Sequence, residues 1–199
     1  MKFVAFDVET TGTNILEDDV LQIAAITFDT TGAIIEKFNE YALTRKVIHD
    51  DVVAVHGLSK EKLQELGARP PHIVGKKFKE FVERGSFDVV GHNIIGFDLP
   101  LTWNWIKRHD SGNFVLPVVN TVYDTMMSAR AILLTRKWLK NSELAEALGI
   151  QVDAERLHDA TYDLEITMKN FLSLRYINHE TINAAIGRLP EILARRPAR

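Results

Sequence analysis

The 199-residue chain contains no cysteine. This absence excludes disulfide bonds and zinc sites built from thiolates, and it fits a reducing compartment. No apolar stretch approaches the roughly 18 residues that a membrane helix requires. The acidic Asp7 also interrupts the N-terminus too early for a signal peptide. The sequence therefore predicts a cytoplasmic protein with no membrane partner.

The chain also lacks an excess of positive charge, since its formal net charge is −3. A protein that grips nucleic acid by overall charge is therefore disfavoured, although bound metals could reverse the sign locally. An apolar content of 46% is enough for one compact core. We predict a single domain over residues 1–199, with its core in 1–175, a C-terminal helix near 180–193 and a fraying polar tail at 195–199.

Apolar runs and turn residues predict a mixed sheet covered by helices. Three runs joined by tight connections predict an antiparallel meander, with strands at 3–6, 21–28 and 34–41. Strands then alternate with helices. The later strands are predicted at 89–91 and 118–123, and the helices at 59–66, after Pro70-Pro71, at 99–109, 124–134 and 142–148, around Leu164–Leu172 and at 180–193. The predicted class is a three-layer α/β fold.

Two acidic residues end the first strand. Residues i and i+2 of a strand project from one face, so Asp7 and Glu9 point at the same spot. Gly12 then lets the backbone turn away. Because the pattern Asp-x-Glu is common at exposed strand ends, the motif gains meaning only together with others.

A third carboxylate follows the strand predicted at 89–91. Asp98 comes after a loop, either as a helix N-cap or as a site residue, and both roles are compatible at a strand-to-helix junction. His92 and Asn93 directly follow the buried strand. For His92 we predict ordinary loop hydrogen bonding or support of the site.

The last motif contains His158 and Asp163, five positions apart. On one continuous helix they would diverge by roughly 140°. We therefore predict His158 in the loop before a helix and Asp163 in the first turns of that helix, with Asp159 as the cap. A lone histidine near a helix start is otherwise a surface residue.

These five residues fit one mechanism. Four carboxylates can hold two hard divalent cations, Mg²⁺ or Mn²⁺, and such a pair activates water and stabilises a leaving oxygen at phosphorus. His158, neutral near pH 7, is the predicted general base. The predicted catalytic and metal-binding residues are therefore Asp7, Glu9, Asp98 and Asp163 with His158.

The three motifs together resemble the DEDDh branch of the DnaQ-like 3′→5′ exonucleases, over about residues 3–174. The matching segments are 6–12, 92–98 and 158–163, and 91 residues separate Asp7 from Asp98 while 65 separate Asp98 from Asp163. In a sister branch of the family, tyrosine occupies the position four residues before the last aspartate of the third motif. In this chain that position is Asp159. The resemblance implies a ribonuclease H-like fold with a mixed five-stranded sheet. It also implies the roles assigned above to the four carboxylates and to His158.

The resemblance further implies which residues contact the terminal nucleotide. They are Thr10, Thr11 and Gly12 in the first motif, His56 in the segment His56-Gly57-Leu58, and Asn93 and Phe97 in the second motif. The implied reaction releases nucleoside 5′-monophosphates from single-stranded 3′ ends of DNA or RNA. The choice between the two sugars stays open.

Several alternatives remain open. The same chemistry serves proofreading subunits of DNA polymerases, but little sequence follows the last predicted helix, which favours a free-standing enzyme. An endonuclease and a catalytically inactive binding module are further alternatives. Trp103 and Trp105 invite a base-stacking role, yet they point in different directions on a helix, so at least one belongs to the core. Oligomeric state is left undetermined.

Overall fold

The computed structural model describes residues 1–84, 88–110, 120–157 and 159–197. Five strands form one mixed sheet in the order β3-β2-β1-β4-β5. The meander β1–β2–β3 is antiparallel, and β4 and β5 run parallel to β1. The strands are β1 Lys2–Thr10, β2 Val20–Asp29, β3 Ile34–Tyr41, β4 Asp88–Gly91 and β5 Val122–Asp124. The predicted fold class and meander are confirmed.

Helices occupy most of the remaining described chain. They are α1 Asp50–His56, α2 Lys60–Glu65, α3 Pro71–Glu83, α4 Asp98–His109, α5 Thr125–Ile132, α6 Asn141–Ala147, α7 Ala160–Arg175 and α8 His179–Ala194, and a 3₁₀ turn covers Ala154–Arg156. Within the described ranges, none of these helices is both long and apolar enough to cross a membrane.

The observed elements differ from the sequence predictions in two places. The last strand begins at Val122 rather than at Val118, and the first residues predicted for it lie outside the described residues. Helix α1 was not predicted, because none of its residues is buried and no apolar period marks it. The guanidinium groups of Arg195 and Arg196 pair with Glu146 and Glu143 of α6, and the fraying of the tail stays a prediction.

The side chains of β1 alternate between two cores, as the two-residue period of a strand requires. Val4, Phe6 and Val8 belong to the core formed with α3 and α4. Phe3 and Ala5 belong to the core formed with α7 on the opposite face. The same alternation places the next odd-numbered side chains, at positions 7 and 9, on the α7 face of the sheet.

Candidate active site

The end of β1 presents Asp7 and Glu9 side by side. Both are partly buried, whereas Val8 between them is buried against the other core. Asp7 pairs with Ala24 of β2 and Glu9 pairs with Gln22. Both acidic side chains therefore lie on the α7 face near the carboxyl end of β1, as the sequence predicted.

Asp98 reaches the same place from the neighbouring strand. Because β4 runs parallel to β1, the carboxyl ends of the two strands meet at one edge of the sheet. The backbone N–H of Val8 donates a hydrogen bond to Oδ1 of Asp98 over 3.3 Å. The N-cap of α4 is Phe97, so Asp98 is the first helical residue and its carboxylate turns to β1 instead of capping the helix.

Helix α7 brings the fourth carboxylate. Asp159 caps this helix by accepting a hydrogen bond from the N–H of Tyr162 over 2.9 Å, as predicted. Asp163 follows in the first turn, on a helix that packs against β1, β2 and β4. The candidate base His158 lies outside the described residues, so its placement before α7 stays a prediction.

The four carboxylates interact through their charges. Burial, followed by the charge of Asp163, raises the pKa of Asp7 to about 7 against the opposing effect of a hydrogen bond with Asp98. Burial followed by the charges of Asp7 and Asp163 raises the pKa of Glu9 to about 8. Burial and the charge of Asp7 raise the pKa of Asp98 well above its ordinary value. The four residues therefore form one electrostatically coupled set.

No cationic side chain among the described residues forms an ion pair with Asp7, Glu9 or Asp98. The same part of the chain contains no group of three or more His, Cys, Asp or Glu side chains already spaced to enclose a metal ion. No cationic side chain in this part of the chain therefore offsets the charge of Asp7, Glu9 or Asp98, and a bound divalent cation would do so.

The turn after β1 is fixed by its own hydroxyl groups. Oγ1 of Thr10 donates to the carbonyl of Gly12 over 2.6 Å, and Oγ1 of Thr11 donates to Asp18 over 2.9 Å. A Cβ at Gly12 would lie 2.5 Å from Oδ2 of Asp18, so a larger residue would displace the Asp18 carboxylate that holds the turn. Both hydroxyl groups therefore shape the turn and are not simply free for a ligand.

His56 reaches this turn from the end of α1. Its Nδ1 accepts a hydrogen bond from the N–H of Leu58 over 3.0 Å, so Nε2 carries the ring proton and donates to the carbonyl of Thr10 over 3.2 Å. Burial lowers the pKa of His56, which favours this neutral form. The structure thus brings His56 to the first motif, where the family resemblance places it.

Asp124 has a second role besides starting the helix that follows it. It caps α5 by accepting hydrogen bonds from the N–H groups of Met126 and Met127. Its two oxygens also accept from the N–H groups of Asn93, over 3.1 Å, and Ile95, over 3.2 Å. Asn93 has a left-handed backbone with φ of 62°, which asparagine tolerates better than most residues. Asp124 therefore fixes the loop that leads to Asp98.

His92 and Asn141 link the site to α6. Burial lowers the pKa of His92, whose Nε2 donates to the carbonyl of Leu139 over 2.8 Å and whose Nδ1 lies 3.0 Å from Oγ1 of Thr125. The side-chain amide of Asn141 donates to the backbone carbonyl of Asp163 over 3.0 Å. The supporting role predicted for His92 fits these contacts, whereas nothing in the sequence pattern marked Asn141.

The two tryptophans singled out in α4 belong largely to the protein interior. Trp105 is fully buried, with 0% of its surface exposed. Trp103 is partly buried, and its ring centroid lies 6.0 Å from that of Phe78. Phe97 is partly buried against the same core. The prediction that at least one of the two tryptophans is a core residue is confirmed.

The chain is similar to known proteins in its sequence and in its fold. A family model described as Exonuclease matches residues 4–171. Among curated proteins, the chain is 30% identical over 166 residues to the PolC-type DNA polymerase III of Pediococcus pentosaceus, which covers 83% of this chain and 11% of the polymerase. It is 32% identical over 165 residues to the corresponding polymerase of Streptococcus pyogenes serotype M1, which covers 83% of this chain and 10% of the relative.

Solved structures of exonuclease I share the fold. One described as suggesting how processivity is achieved superposes with a TM-score of 0.74 at 20% identity, over 94% of this chain and 43% of the other. The complex of E. coli exonuclease I with a dA16 oligonucleotide gives 0.74 at 19% identity, over 92% and 42%. A zinc-bound complex of the E. coli enzyme with single-stranded DNA gives 0.72 at 19% identity, over 92% and 42%. The chain thus spans less than half of these proteins and about a tenth of the polymerases.

Proposed function

Because this chain belongs to the exonuclease family, we propose that it is a metal-dependent enzyme that removes nucleotides one at a time from the 3′ end of single-stranded DNA or RNA. The resemblance of its three motifs to 3′→5′ exonucleases is confirmed at the level of the family. The observation that carries the proposal is the coupled set of four carboxylates, drawn from β1, α4 and α7, at the edge where parallel strands end.

The donor set fits a hard divalent cation. All four predicted ligands, Asp7, Glu9, Asp98 and Asp163, offer carboxylate oxygens, which Mg²⁺ and Mn²⁺ prefer. Four negative charges are balanced by two such cations. When bound, they supply activation of water and stabilisation of the leaving 3′-oxygen. The zinc-bound structure of exonuclease I supports a divalent cation at this kind of site.

The protein residues have separate tasks in the proposed reaction. The N–H of Val8 holds the carboxylate of Asp98 against β1, and Asn141 holds the turn that carries Asp163. We assign the general base to His158, which takes the proton of the attacking water while the bond between phosphorus and the 3′-oxygen breaks. The product is a nucleoside 5′-monophosphate.

We propose that the terminal nucleotide lies against the turn after β1 and the loop after β4. Thr10, Thr11, Gly12 and His56 form the first side, since His56 is hydrogen-bonded to Thr10. Asn93 and Phe97 form the second side, held by Asp124. We expect an unpaired terminal base to fit between these two sides better than a duplex end, because a single nucleotide has to enter there.

A proofreading exonuclease attached to a polymerase is the second candidate. The observation that favours it is the similarity to PolC-type DNA polymerases, in which the matching segment is a small part of a much longer protein. The chemistry at the site would be the same. The two candidates differ in whether a polymerase changes the rate on mismatched primer ends.

Digestion of 5′-labelled single-stranded DNA, single-stranded RNA and duplex DNA tests the proposal. With Mg²⁺ or Mn²⁺ we expect a ladder that shortens stepwise from the 3′ end, and no digestion in EDTA. Asp163→Asn should abolish the ladder, whereas Glu83→Gln, at the exposed end of α3, should not. Full activity of Asp163→Asn, or digestion that continues in EDTA, would contradict the assignment.

A further inference from the structure

The segment from α5 to the start of α6 carries charged side chains of one sign only. Residues 125–142 contain the four cations Arg130, Arg136, Lys137 and Lys140 and no acidic residue, although the whole chain has a net charge of −3. All four cationic residues are exposed. A concentrated positive surface on an acidic protein is suited to a polyanion.

An exposed tryptophan stands among these cations. Trp138 exposes 48% of its surface, and the guanidinium carbon of Arg130 lies 4.2 Å from its ring centroid. Met127, Leu134 and Arg136 line a shallow depression of about 480 Å³ with them. We call this surface, formed by Met127, Arg130, Leu134, Arg136 and Trp138, the Trp138 platform. An aromatic face flanked by guanidinium groups can stack a base and hold its phosphate.

Hydrogen bonds to two consecutive backbone carbonyls hold the segment that carries Trp138. Arg196 donates to the carbonyl of Trp138 over 2.7 Å, and it is itself paired with Glu143. The next carbonyl, that of Leu139, accepts from His92 over 2.8 Å. These contacts fix the backbone that carries the indole ring, so a ligand would not have to order this segment.

The platform lies on a segment that is linked to the elements of the site at both ends. Trp138 is three residues before Asn141, whose amide contacts the carbonyl of Asp163, and three residues span at most about 11 Å. At the other end, the N–H of Met127 shares Oδ1 of Asp124 with the N–H of Asn93. The platform therefore borders both the helix start and the loop that form the site.

We propose that the Trp138 platform binds the substrate strand on the 5′ side of the scissile phosphate, with a base on Trp138 and phosphates on Arg130 and Arg136. This inference rests on the proposed function and extends it from the terminal nucleotide to the strand behind it. A nucleic-acid strand is favoured over a protein because the cations lack any acidic residue among them and surround an aromatic face.

Binding of 5′-fluorescein oligothymidylates of increasing length, from two to twelve nucleotides, tests the platform in EDTA. The wild-type affinity should rise once the strand is long enough to reach Trp138. Trp138→Ala should bind these longer strands about ten-fold more weakly than the wild type, and the affinity of Trp138→Phe should be intermediate. Arg130→Gln should also reduce the slope of log affinity against log salt concentration by about 0.7.

Two matched variants control for general effects. Arg84→Gln removes an exposed arginine that also lies over an aromatic ring, 5.4 Å from Phe81, and is paired with Glu36 on the opposite edge strand β3. Tyr176→Ala removes an exposed aromatic ring just beyond the far end of α7. Neither should change the length dependence or the salt dependence.

Three results would overturn the platform. The first is that Trp138→Ala and Arg130→Gln bind strands of every length as tightly as the wild type. The second is that both variants bind the shortest and the longest strands more weakly by the same factor. Sedimentation could instead show that the platform joins two copies of the chain without affecting strand binding. A wild-type protein that digests no strand in Mg²⁺ or Mn²⁺ contradicts the proposed function instead, and this result is read separately from the binding data.

Discussion

Asp7 is central to the electrostatic interactions of the site. Its pKa is raised first by burial and then by the charge of Asp163, and it shares a hydrogen bond with Asp98. Without a cation, the folded protein therefore prefers one or more of these carboxyl groups to be protonated. The same repulsion makes the set receptive to divalent cations.

This charge balance predicts a pH dependence of stability in EDTA. The pKa of Asp7 rises from 3.8 to about 7 on folding, so its contribution is fully present below the unfolded pKa and is lost as the pH rises through about 7. Relative to Asp7→Asn, the wild type should lose unfolding free energy between about pH 4 and about pH 7, on the order of a few kcal/mol, and little more above that range. Denaturant unfolding at several pH values measures the difference.

Saturating Mg²⁺ serves as the control for this prediction. It should remove most of the difference at the alkaline end, because the cation replaces the proton as the counter-charge. Asp7→Asn should respond less to Mg²⁺. If the two proteins instead show parallel pH profiles in EDTA, the electrostatic coupling described for the site is wrong.

Trp105 offers a test of the core at a single residue. It is fully buried beside Ile106, and its ring lies 5.7 Å from that of His109. Trp105→Ala should lower the unfolding free energy by about 3–5 kcal/mol, because it leaves a large cavity. Trp138→Ala should lower it by at most about 1 kcal/mol. Comparable losses in both variants would contradict the separation of core and platform.

At the scale of elements, the first turn of α7 is set by its neighbours as well as by its own cap. Asp159 begins the helix, but the side chain of Asn141 from α6 fixes the turn by donating to Asp163 and Thr167. Asn170 in turn donates to Asn141 over 2.8 Å. The position of Asp163 therefore depends on the packing of α6 against α7.

Asn141→Ala should weaken apparent metal affinity or activity by about ten- to a hundred-fold, since it releases the turn that carries a predicted ligand. The metal concentration at half-maximal rate and kcat are the measurements. Asn104→Ala is a matched control, because Asn104 also donates its amide to a backbone carbonyl over 3.0 Å, that of Ile15. Equal effects of both variants would indicate general loss of structure rather than misplacement of Asp163.

At the scale of the whole molecule, the sheet order brings distant segments to one edge. Parallel β1 and β4 end together, α4 begins there, and α7 crosses the opposite face of the same strands. The single-domain organisation over residues 1–199 stays a prediction, for which one cooperative unfolding transition is the check.

The requirement for a free end follows from the proposed pocket. A circular single strand should survive conditions that digest the same sequence in linear form, and a 3′-phosphate should slow digestion of the linear strand. Gel analysis of both substrates with Mg²⁺ is the measurement. Cleavage of the circle at a comparable rate would favour the endonuclease alternative.

Local periodicity determined much of this protein from sequence alone. The two-residue period of β1 put Asp7 and Glu9 on one face, and the junction after β4 located Asp98. The spacing within the last motif put Asp163 in the first turn of a helix capped by Asp159. These features depend on residues close together in the chain, so a pattern of side chains is enough to predict them.

Only the tertiary structure decided which residues support and extend the site. Asp124 holds the loop of Asn93, Asn141 holds Asp163, and the surface around Trp138 lies beside both. These residues are tens of positions apart from their partners, and single hydrogen bonds between segments leave no period in the sequence. Their roles appear once the strand order and the packing of α6 against α7 bring the segments together, because burial and distance are properties of the folded chain.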